Sequence, residues 1–454
     1  MTPSDLFLSA DLTEEQARTY LRSLGFRDAA AVDAHFQRMA DDLVVREALG
    51  RLAPDLLPAV LETPNPDAAV AAIAHYVASR SGRAMFLDYL RDDPRALHVL
   101  TYVMGASPHL SEILIRTPEY FHWLVAQVER SAPDRQDHEE ELVSAFSTID
   151  DPSEGLNMLR RWKRRETLRI GTRDLLRHET VQTAAAQLSD IAAVAVDFAL
   201  AIVMQQRLDA ERREKPPGTF AVIGTGHIGA REMSYGSDIE LLYVYETTET
   251  EDAQADRDFF IGVGCDLTAA LRDETNDGSL YHVELPPWPE SEGWLKACAI
   301  ADYEEHYAAS VDLAERLMLT RARPIAGDAD LGARFISCCE PFVYRDGPRT
   351  SALPAAHDRA GFEIEGLTQA LQVAHGSRHA SIRQTGTLAA LSAMTLAGLI
   401  PEEISRELDH AYVFMRTAEH RRQLGLGDAN LEKQVQASQA RVRELCGSIG
   451  KLVD

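Results

Sequence analysis

The sequence predicts an α+β protein that is mostly helical and carries one small sheet near the middle of the chain. Helical periodicity dominates both ends, whereas β-rich segments concentrate between them. Pro216-Pro217-Gly218 closes the first helical region and is the clearest boundary in the chain. We therefore expect an N-terminal helical region over residues 1–215, a sheet domain over 216–350 and a C-terminal helical bundle over 351–454.

Amphipathic runs separated by helix-ending residues make up the N-terminal region. Thr13 and Gln16 form a capping box before a run that stops at Gly25. Proline-containing breaks divide the later runs, and a long apolar helix is expected over about residues 181–211.

Three segments predict strands, because β-branched and apolar residues run together or alternate in them. They cover residues 219–223, 239–245 and 279–285. Helices are expected between and after them, at about 255–273 and 299–319, and the helical pattern returns from about 355 to 450.

The amino-acid composition limits the kinds of partner that the protein can bind. The net charge is −25, from 71 acidic and 46 basic residues, so we expect no nucleic-acid partner, because non-specific binding needs a basic surface. The longest apolar stretches, 191–204 and 388–400, are too short to span a bilayer, and no signal peptide is evident. The five cysteines have no Cys-x-x-Cys spacing. A cytoplasmic protein without membrane contact is expected.

Two carboxylates at the start of the second predicted strand indicate a metal site. Asp238 and Glu240 project to the same side, since residues two apart in a strand share a face. Neighbouring carboxylates repel unless a cation lies between them, and Mg²⁺ is held by carboxylates and phosphate oxygens. Gly236 and Ser237, directly before the pair, offer backbone N–H groups and a hydroxyl to a phosphate.

Glu284 is the best candidate for a third carboxylate. It lies in the next predicted strand, within His282-Val283-Glu284-Leu285. With Asp238 and Glu240 it would hold two Mg²⁺ ions, one at the attacking oxygen and one at the leaving phosphate. The three acidic residues therefore predict metal-dependent phosphoryl or nucleotidyl transfer.

The glycine-rich turn before the acidic pair has two interpretations. Gly224, Gly226 and Gly229 match a dinucleotide-binding fingerprint, with Glu246 at the distance of a ribose contact. A βαβ crossover needs a longer helix than the few residues available before the second strand. We therefore favour a turn that carries a nucleotide phosphate.

Arginines supply the local positive charge. Every fourth residue of one predicted helix is basic; the residues are Arg161, Arg165, Arg169, Arg173 and Arg177. This pattern indicates either contact with a phosphate or an acidic partner, or salt bridges to neighbouring helices. Arg321 and Arg323, late in the sheet domain, are candidates to reach a triphosphate. His227, inside the glycine turn, is expected to be a structural hydrogen-bonding residue.

Several separated motifs, in order, resemble the glutamine synthetase adenylyltransferase / adenylyl-removing enzyme family. The resemblance covers nearly the whole chain and resides in residues 159–175, 224–240, 302–303, 321–328, 363–365, 369–376, 387–391 and 419–424. It implies a polymerase-beta-type nucleotidyltransferase domain between helical regions. It also implies a chain equivalent to one of the two modules of the bifunctional members.

The same resemblance implies a reaction. ATP and Mg²⁺ would adenylylate a tyrosine of glutamine synthetase, or phosphate would remove the adenylyl group and release ADP; a nitrogen-signalling regulatory protein is a further implied partner. The residues leave the direction open. Glu240 and Glu284 stand where the family has aspartate, and Pro286-Pro287-Trp288 replaces an arginine-containing motif. A catalytically silent regulatory module of the same fold, or transfer to another acceptor, is the alternative.

Overall fold

The computed structural model describes residues 1–149, 151–248, 252–285, 297–309, 312–345 and 362–453. The motif Pro286-Pro287-Trp288 lies outside the described residues. The described chain is α+β and mostly helical, with one small mixed sheet, as predicted. It divides into two compact units. The predicted three-domain division remains a prediction.

The first unit consists of residues 1–132, 164–180 and 421–427. Its helices are α1 (Asp5–Leu8), α2 (Glu14–Leu24), α3 (Ala29–Met39), α4 (Leu43–Leu61), α5 (Pro66–Ala78), α6 (Arg83–Asp92), α7 (Pro94–Ala106), α8 (Pro108–Arg116) and α9 (Tyr120–Val128). The predicted capping box of α2 is present, and the helix ends at Gly25 with φ 110°. Local start and stop signals thus set the bounds of this helix.

The second unit consists of residues 133–163, 181–420 and 428–454. Helices α10 (Arg135–Phe146), α11 (Pro152–Leu175) and α12 (Val181–Glu211) precede the sheet, and residues 164–175 of α11 fall in the first unit. The sheet segment contains β1 (Gly218–Thr225), α13 (Gly226–Ala230), β2 (Ile239–Thr247), α14 (Ala253–Arg272), β3 (Val283–Glu284), β4 (Cys298–Ala299), α15 (Ile300–Ala309), α16 (Leu313–Leu319), β5 (Arg323–Gly327) and α17 (Ala329–Val343). Four helices follow in the described chain: α18 (Phe362–His375), α19 (Thr387–Leu396), α20 (Glu402–Gln423) and α21 (Ala429–Val453). Residues 421–423 of α20 fall in the first unit.

The sheet has the strand order β3-β2-β1-β5, and β4 pairs with a later part of β2. Strand β1 is antiparallel to both β2 and β5, whereas β3 and β4 run parallel to β2. The predicted third strand, 279–285, is shortened to Val283–Glu284, because only these residues pair with β2. Strands β4 and β5 were not predicted.

Helices cover both faces of the two central strands. On one face, Phe260 of α14 stacks on Phe220 and Tyr245, with ring centroids 6.0 and 5.0 Å apart. On the other face, Ile223 and Phe335 belong to one buried apolar cluster. Burial on both faces explains the near-continuous hydrophobic sequence of β1 and β2. The sheet is therefore a rigid base for the side chains at its edge.

Helix α12 is longer than the apolar stretch counted in the sequence. Among the described residues it alone is long and apolar enough to cross a membrane, by length and composition, with a mean hydropathy of 1.8 over its most apolar window. In this window 67% of the residues are buried inside the protein. The helix also contacts α14 and β5 within its own unit, so its apolar residues form part of the hydrophobic core.

Candidate active site

The acidic residues meet at one edge of the sheet because β3 runs parallel to β2. The register pairs Ile239 with Val283 and Glu240 with Glu284. Side chains at paired positions of neighbouring strands lie on the same face. Asp238 directly precedes β2 and therefore points to this edge as well. The structure thus places Glu240 beside Glu284 in the sheet, and it brings Asp238 and Glu284 together in one close group.

Three exposed side chains form a compact group at this edge. One ligand atom from each of Asp238, His282 and Glu284 lies within 4.8 Å of the others. The Asp238 Oδ1 atom is 3.3 Å from Nδ1 of His282. Carboxylate and imidazole groups at this spacing are a suitable donor set for a divalent cation. His282 was not among the predicted site residues, although its position two before Glu284 places both on one face.

Glu240 lies behind this group and is more buried. Its Oε2 atom accepts a hydrogen bond of 3.3 Å from the Thr225 hydroxyl. Burial raises the pKa of the Glu240 carboxyl above its usual value, the charge of Glu284 adds to the rise, and His227 and Arg321 oppose it. A bound cation would supply the positive charge that these protein groups only partly provide. The donor set therefore fits Mg²⁺, with Glu240 as an inner carboxylate.

The glycines of the turn permit close backbone packing around Glu240. Gly226 has φ +52°, and a Cβ atom there would lie 2.2 Å from Oε1 of Glu240. At Gly224 a Cβ atom would lie 3.0 Å from the Ile325 side chain. These close contacts explain why glycine occupies both positions, since a side chain would not fit there. Contact of Gly224, Gly226 and Gly229 with a nucleotide phosphate remains a prediction.

Substitution of Gly229 by alanine is expected to destabilise the second unit. A Cβ atom there would lie 2.0 Å from the Arg321 carbonyl oxygen and 2.6 Å from that of Gly224, and neither backbone group can move freely. We expect Gly229→Ala to lower the free energy of unfolding by about 2–3 kcal/mol, measured by urea denaturation. The control is Gly366→Ala in α18, where a Cβ atom would have no neighbour within 4 Å among the described residues. This variant should raise the free energy of unfolding by about 0.5–1 kcal/mol. Equal stability of Gly229→Ala and wild type would show that the backbone around Gly229 is not as tightly packed as described.

Ser237 organises the turn before the acidic pair. Its hydroxyl accepts a hydrogen bond of 2.8 Å from the Ser234 amide and lies 3.0 Å from the Ser234 hydroxyl. The Ser234 hydroxyl in turn donates to Glu419 at 3.2 Å. Gly236, two residues before Asp238, is exposed. The predicted phosphate contacts of Gly236 and Ser237 stay predictions.

The two candidate phosphate-binding arginines are engaged within the protein. Arg321 is only 3% exposed, and its guanidinium lies 3.4 Å from both Glu232 and Glu365. Arg323 donates to the carbonyl oxygens of Ile228 and Gly229 at 2.9 and 3.1 Å, and burial lowers its pKa to about 10. Arg323 thus binds the backbone of the glycine turn, and Arg321 binds two carboxylates. Contact of either arginine with a triphosphate remains a prediction.

The periodic arginines of α11 take part in ion pairs. In the second unit, Arg161 lies 2.9 Å from Asp277. In the first unit, Arg169 lies 2.7 Å from Glu166, and both side chains are buried. Arg173 lies 2.6 Å from Glu179. These contacts favour the salt-bridge interpretation over a phosphate-binding stripe.

The fold and the site define a class. A small mixed sheet embedded in helices, with acidic side chains at adjacent strand ends behind a glycine turn, is the arrangement of a nucleotidyltransferase domain. The chain belongs to the glutamate-ammonia ligase adenylyltransferase family, whose model matches residues 97–337. The resemblance inferred from the sequence motifs is thereby confirmed.

Curated relatives carry the name bifunctional glutamine synthetase adenylyltransferase/adenylyl-removing enzyme. The protein of Corynebacterium efficiens is 27% identical over 88% of this chain and 41% of its own length. That of Streptomyces coelicolor is 29% identical over 89% of this chain and 44% of its own length. That of Chromobacterium violaceum is 28% identical over 97% of this chain and 52% of its own length. The chain thus spans about half the length of the curated relatives it matches.

Proposed function

We propose that the chain is a nucleotidyltransferase that adds an adenylyl group to, or removes it from, a tyrosine of glutamine synthetase. The observation that supports this most is the meeting of Asp238, His282 and Glu284 within 4.8 Å at the edge of the sheet. The family membership and the names of the relatives support the same substrate class. The reaction would occur in the cytoplasm, without nucleic acid or membrane, and a nitrogen-signalling protein is proposed as a further partner.

The side chains present fit a divalent cation. Asp238 and Glu284 would hold Mg²⁺ at the exposed edge, with Glu240 behind them and His282 at a further position. Two bound Mg²⁺ ions would offset the negative charge of the phosphates and of the attacking oxygen. The 3.3 Å contact with His282 orients the carboxylate of Asp238. Thr225 orients that of Glu240 from the opposite side.

The proposal predicts label transfer in one of two assays. Incubation with ATP labelled in the α-phosphate and with unmodified glutamine synthetase is expected to label the synthetase only when Mg²⁺ is present. Incubation of adenylylated synthetase with phosphate is expected to release ADP if the chain works in the removing direction. Mass spectrometry of the modified peptide identifies the tyrosine. Absence of both reactions would reject the enzymatic proposal.

A silent regulatory module is the second candidate. It is supported by the position of Glu240, which pairs with Thr225 and stands apart from the compact group formed by Asp238, His282 and Glu284 in the described chain. Calorimetric titration with ATP and Mg²⁺ separates the candidates. Metal-dependent nucleotide binding supports the enzyme, whereas complex formation with glutamine synthetase without nucleotide binding supports the silent module.

A further inference from the structure

A buried cluster of charges connects the glycine turn with the helices that follow the sheet. At its centre, Arg321 lies 3.4 Å from Glu232 and 3.4 Å from Glu365. It also donates a hydrogen bond of 2.7 Å to the Thr387 hydroxyl. Glu232 accepts a further bond of 2.6 Å from the Thr387 amide at the start of α19. Arg321 contacts the other three residues, and Glu232 and Thr387 also bind each other, which fixes the geometry of the cluster.

Glu365 of α18 holds the part of this cluster that is closest to the proposed active site. It is 4% exposed. Its Oε2 atom is 3.3 Å from Nε2 of His227, the second residue of the short helix after Gly226. Its Oε1 atom accepts a hydrogen bond of 3.3 Å from the Tyr412 hydroxyl of α20. One carboxylate therefore joins the glycine turn to two C-terminal helices.

We infer that Glu365 is a positioning residue for the adenylyl transfer, acting through Arg321 and His227 on the glycine turn and on Glu240. The inference rests on the proposed function and extends it. The helices α18 to α20 then belong to the catalytic unit, because they supply the anion that keeps the turn in place. Glu365 contacts Arg321, His227 and Tyr412, and none of these belongs to the group formed by Asp238, His282 and Glu284.

Electrostatics gives the physical reason. The glycine turn packs against Glu240, since a Cβ atom at Gly226 would lie 2.2 Å from its Oε1 atom, and the guanidinium of Arg321 acts on the same carboxylate as a positive charge. Without Glu365, this charge would oppose a divalent cation bound at Glu240, since unit charges interact strongly where water is excluded. Burial opposes ionisation of Glu365, but Arg321 and His227 outweigh this effect and hold the pKa of its carboxyl well below the usual value. Glu365 thus stays charged and balances Arg321.

A neighbouring glutamate provides a matched control. Glu363, two residues earlier in α18, is also buried, but it pairs with Arg443 of α21 at 3.2 Å. Glu365→Gln and Glu363→Gln therefore remove the same charge from the same helix, and only the first removes it from the glycine turn.

At saturating Mg²⁺, Glu365→Gln is expected to lower kcat about tenfold or more while the KM for ATP changes less than about threefold. Glu363→Gln is expected to keep both constants. A loss of kcat of equal size in the two variants would overturn the inference, since it would reflect general destabilisation of α18.

A second measurement does not depend on activity. Binding of Mn²⁺ alone, followed by electron paramagnetic resonance, is expected to weaken about fivefold or more in Glu365→Gln and to stay unchanged in Glu363→Gln. If the wild-type chain transfers no adenylyl group, the proposed function fails while this comparison still tests the role of Glu365. Equal Mn²⁺ affinity in the two variants overturns the inference.

A milder variant covers the case in which Glu365→Gln does not fold. Tyr412→Phe removes one hydrogen bond to Glu365 and keeps the aromatic packing. We expect it to weaken Mn²⁺ binding about threefold, and wild-type Mn²⁺ affinity in a folded Tyr412→Phe protein would count against the inference.

Discussion

Asp238→Asn is expected to reduce adenylyl transfer at least about a thousandfold, equivalent to about 4 kcal/mol of transition-state stabilisation. Asp238 is exposed at the edge of the sheet, and its carboxylate is one of three groups whose ligand atoms lie within 4.8 Å of one another. Asparagine keeps the shape but removes the negative charge that a divalent cation requires. The rate of label transfer from ATP measures the effect.

The fold should survive this substitution. Asp238 is exposed, so the free energy of unfolding is expected to change by less than about 0.5 kcal/mol. Asp258→Asn is the matched control: Asp258 is exposed on α14 and accepts a hydrogen bond of 2.9 Å from Gln254. It should keep the wild-type rate. A wild-type rate in Asp238→Asn would show that the metal assignment is wrong.

Local sequence signals predicted the elements whose formation depends on local contacts. The capping box at Thr13 and the left-handed Gly25 define α2, and the apolar runs define β1 and β2. Strands β4 and β5 were not predicted, because neither has a strand pattern in its own sequence. Cys298–Ala299 becomes a strand only by pairing with Val244 and Tyr245, and Pro324 interrupts the strand pattern of β5.

The candidate site shows the same division between local and long-range information. Period-two alternation was enough to predict that Asp238 and Glu240 share a face, whereas the pairing of Glu240 with Glu284 depends on the register of β2 and β3. The same argument applied to His282 would have included it. The partners of Arg321 could not be predicted, because Glu232 and Glu365 come from distant parts of the chain and a lone arginine does not reveal which acid it pairs with.

Arg321→Met is expected to cause the largest loss of stability among these substitutions. Arg321 is 3% exposed, and its guanidinium lies between the carboxylates of Glu232 and Glu365. Its removal takes away a positive charge that both carboxylates contact. Breaking a buried pair from one side costs about 3–5 kcal/mol, because the remaining charge keeps its desolvation penalty. Urea denaturation at pH 7 measures this loss. Arg334→Met, which breaks the exposed pair with Glu246, should leave the stability nearly unchanged, because water and salt screen exposed ion pairs.

The pH dependence distinguishes a lost charge pair from lost packing. In the wild type, Arg321 and His227 outweigh the effect of burial and hold the pKa of Glu365 below its usual value. The stability that Glu365 contributes is therefore present above the unfolded-state pKa of about 4.3 and is lost as the pH falls below it. In Arg321→Met the buried carboxylate of Glu365 protonates more readily, so the difference in unfolding free energy from wild type should shrink between pH 7 and about pH 4. A difference that stays constant over this range would mean that the methionine costs stability through packing, and that the charges of Glu232 and Glu365 are balanced without Arg321.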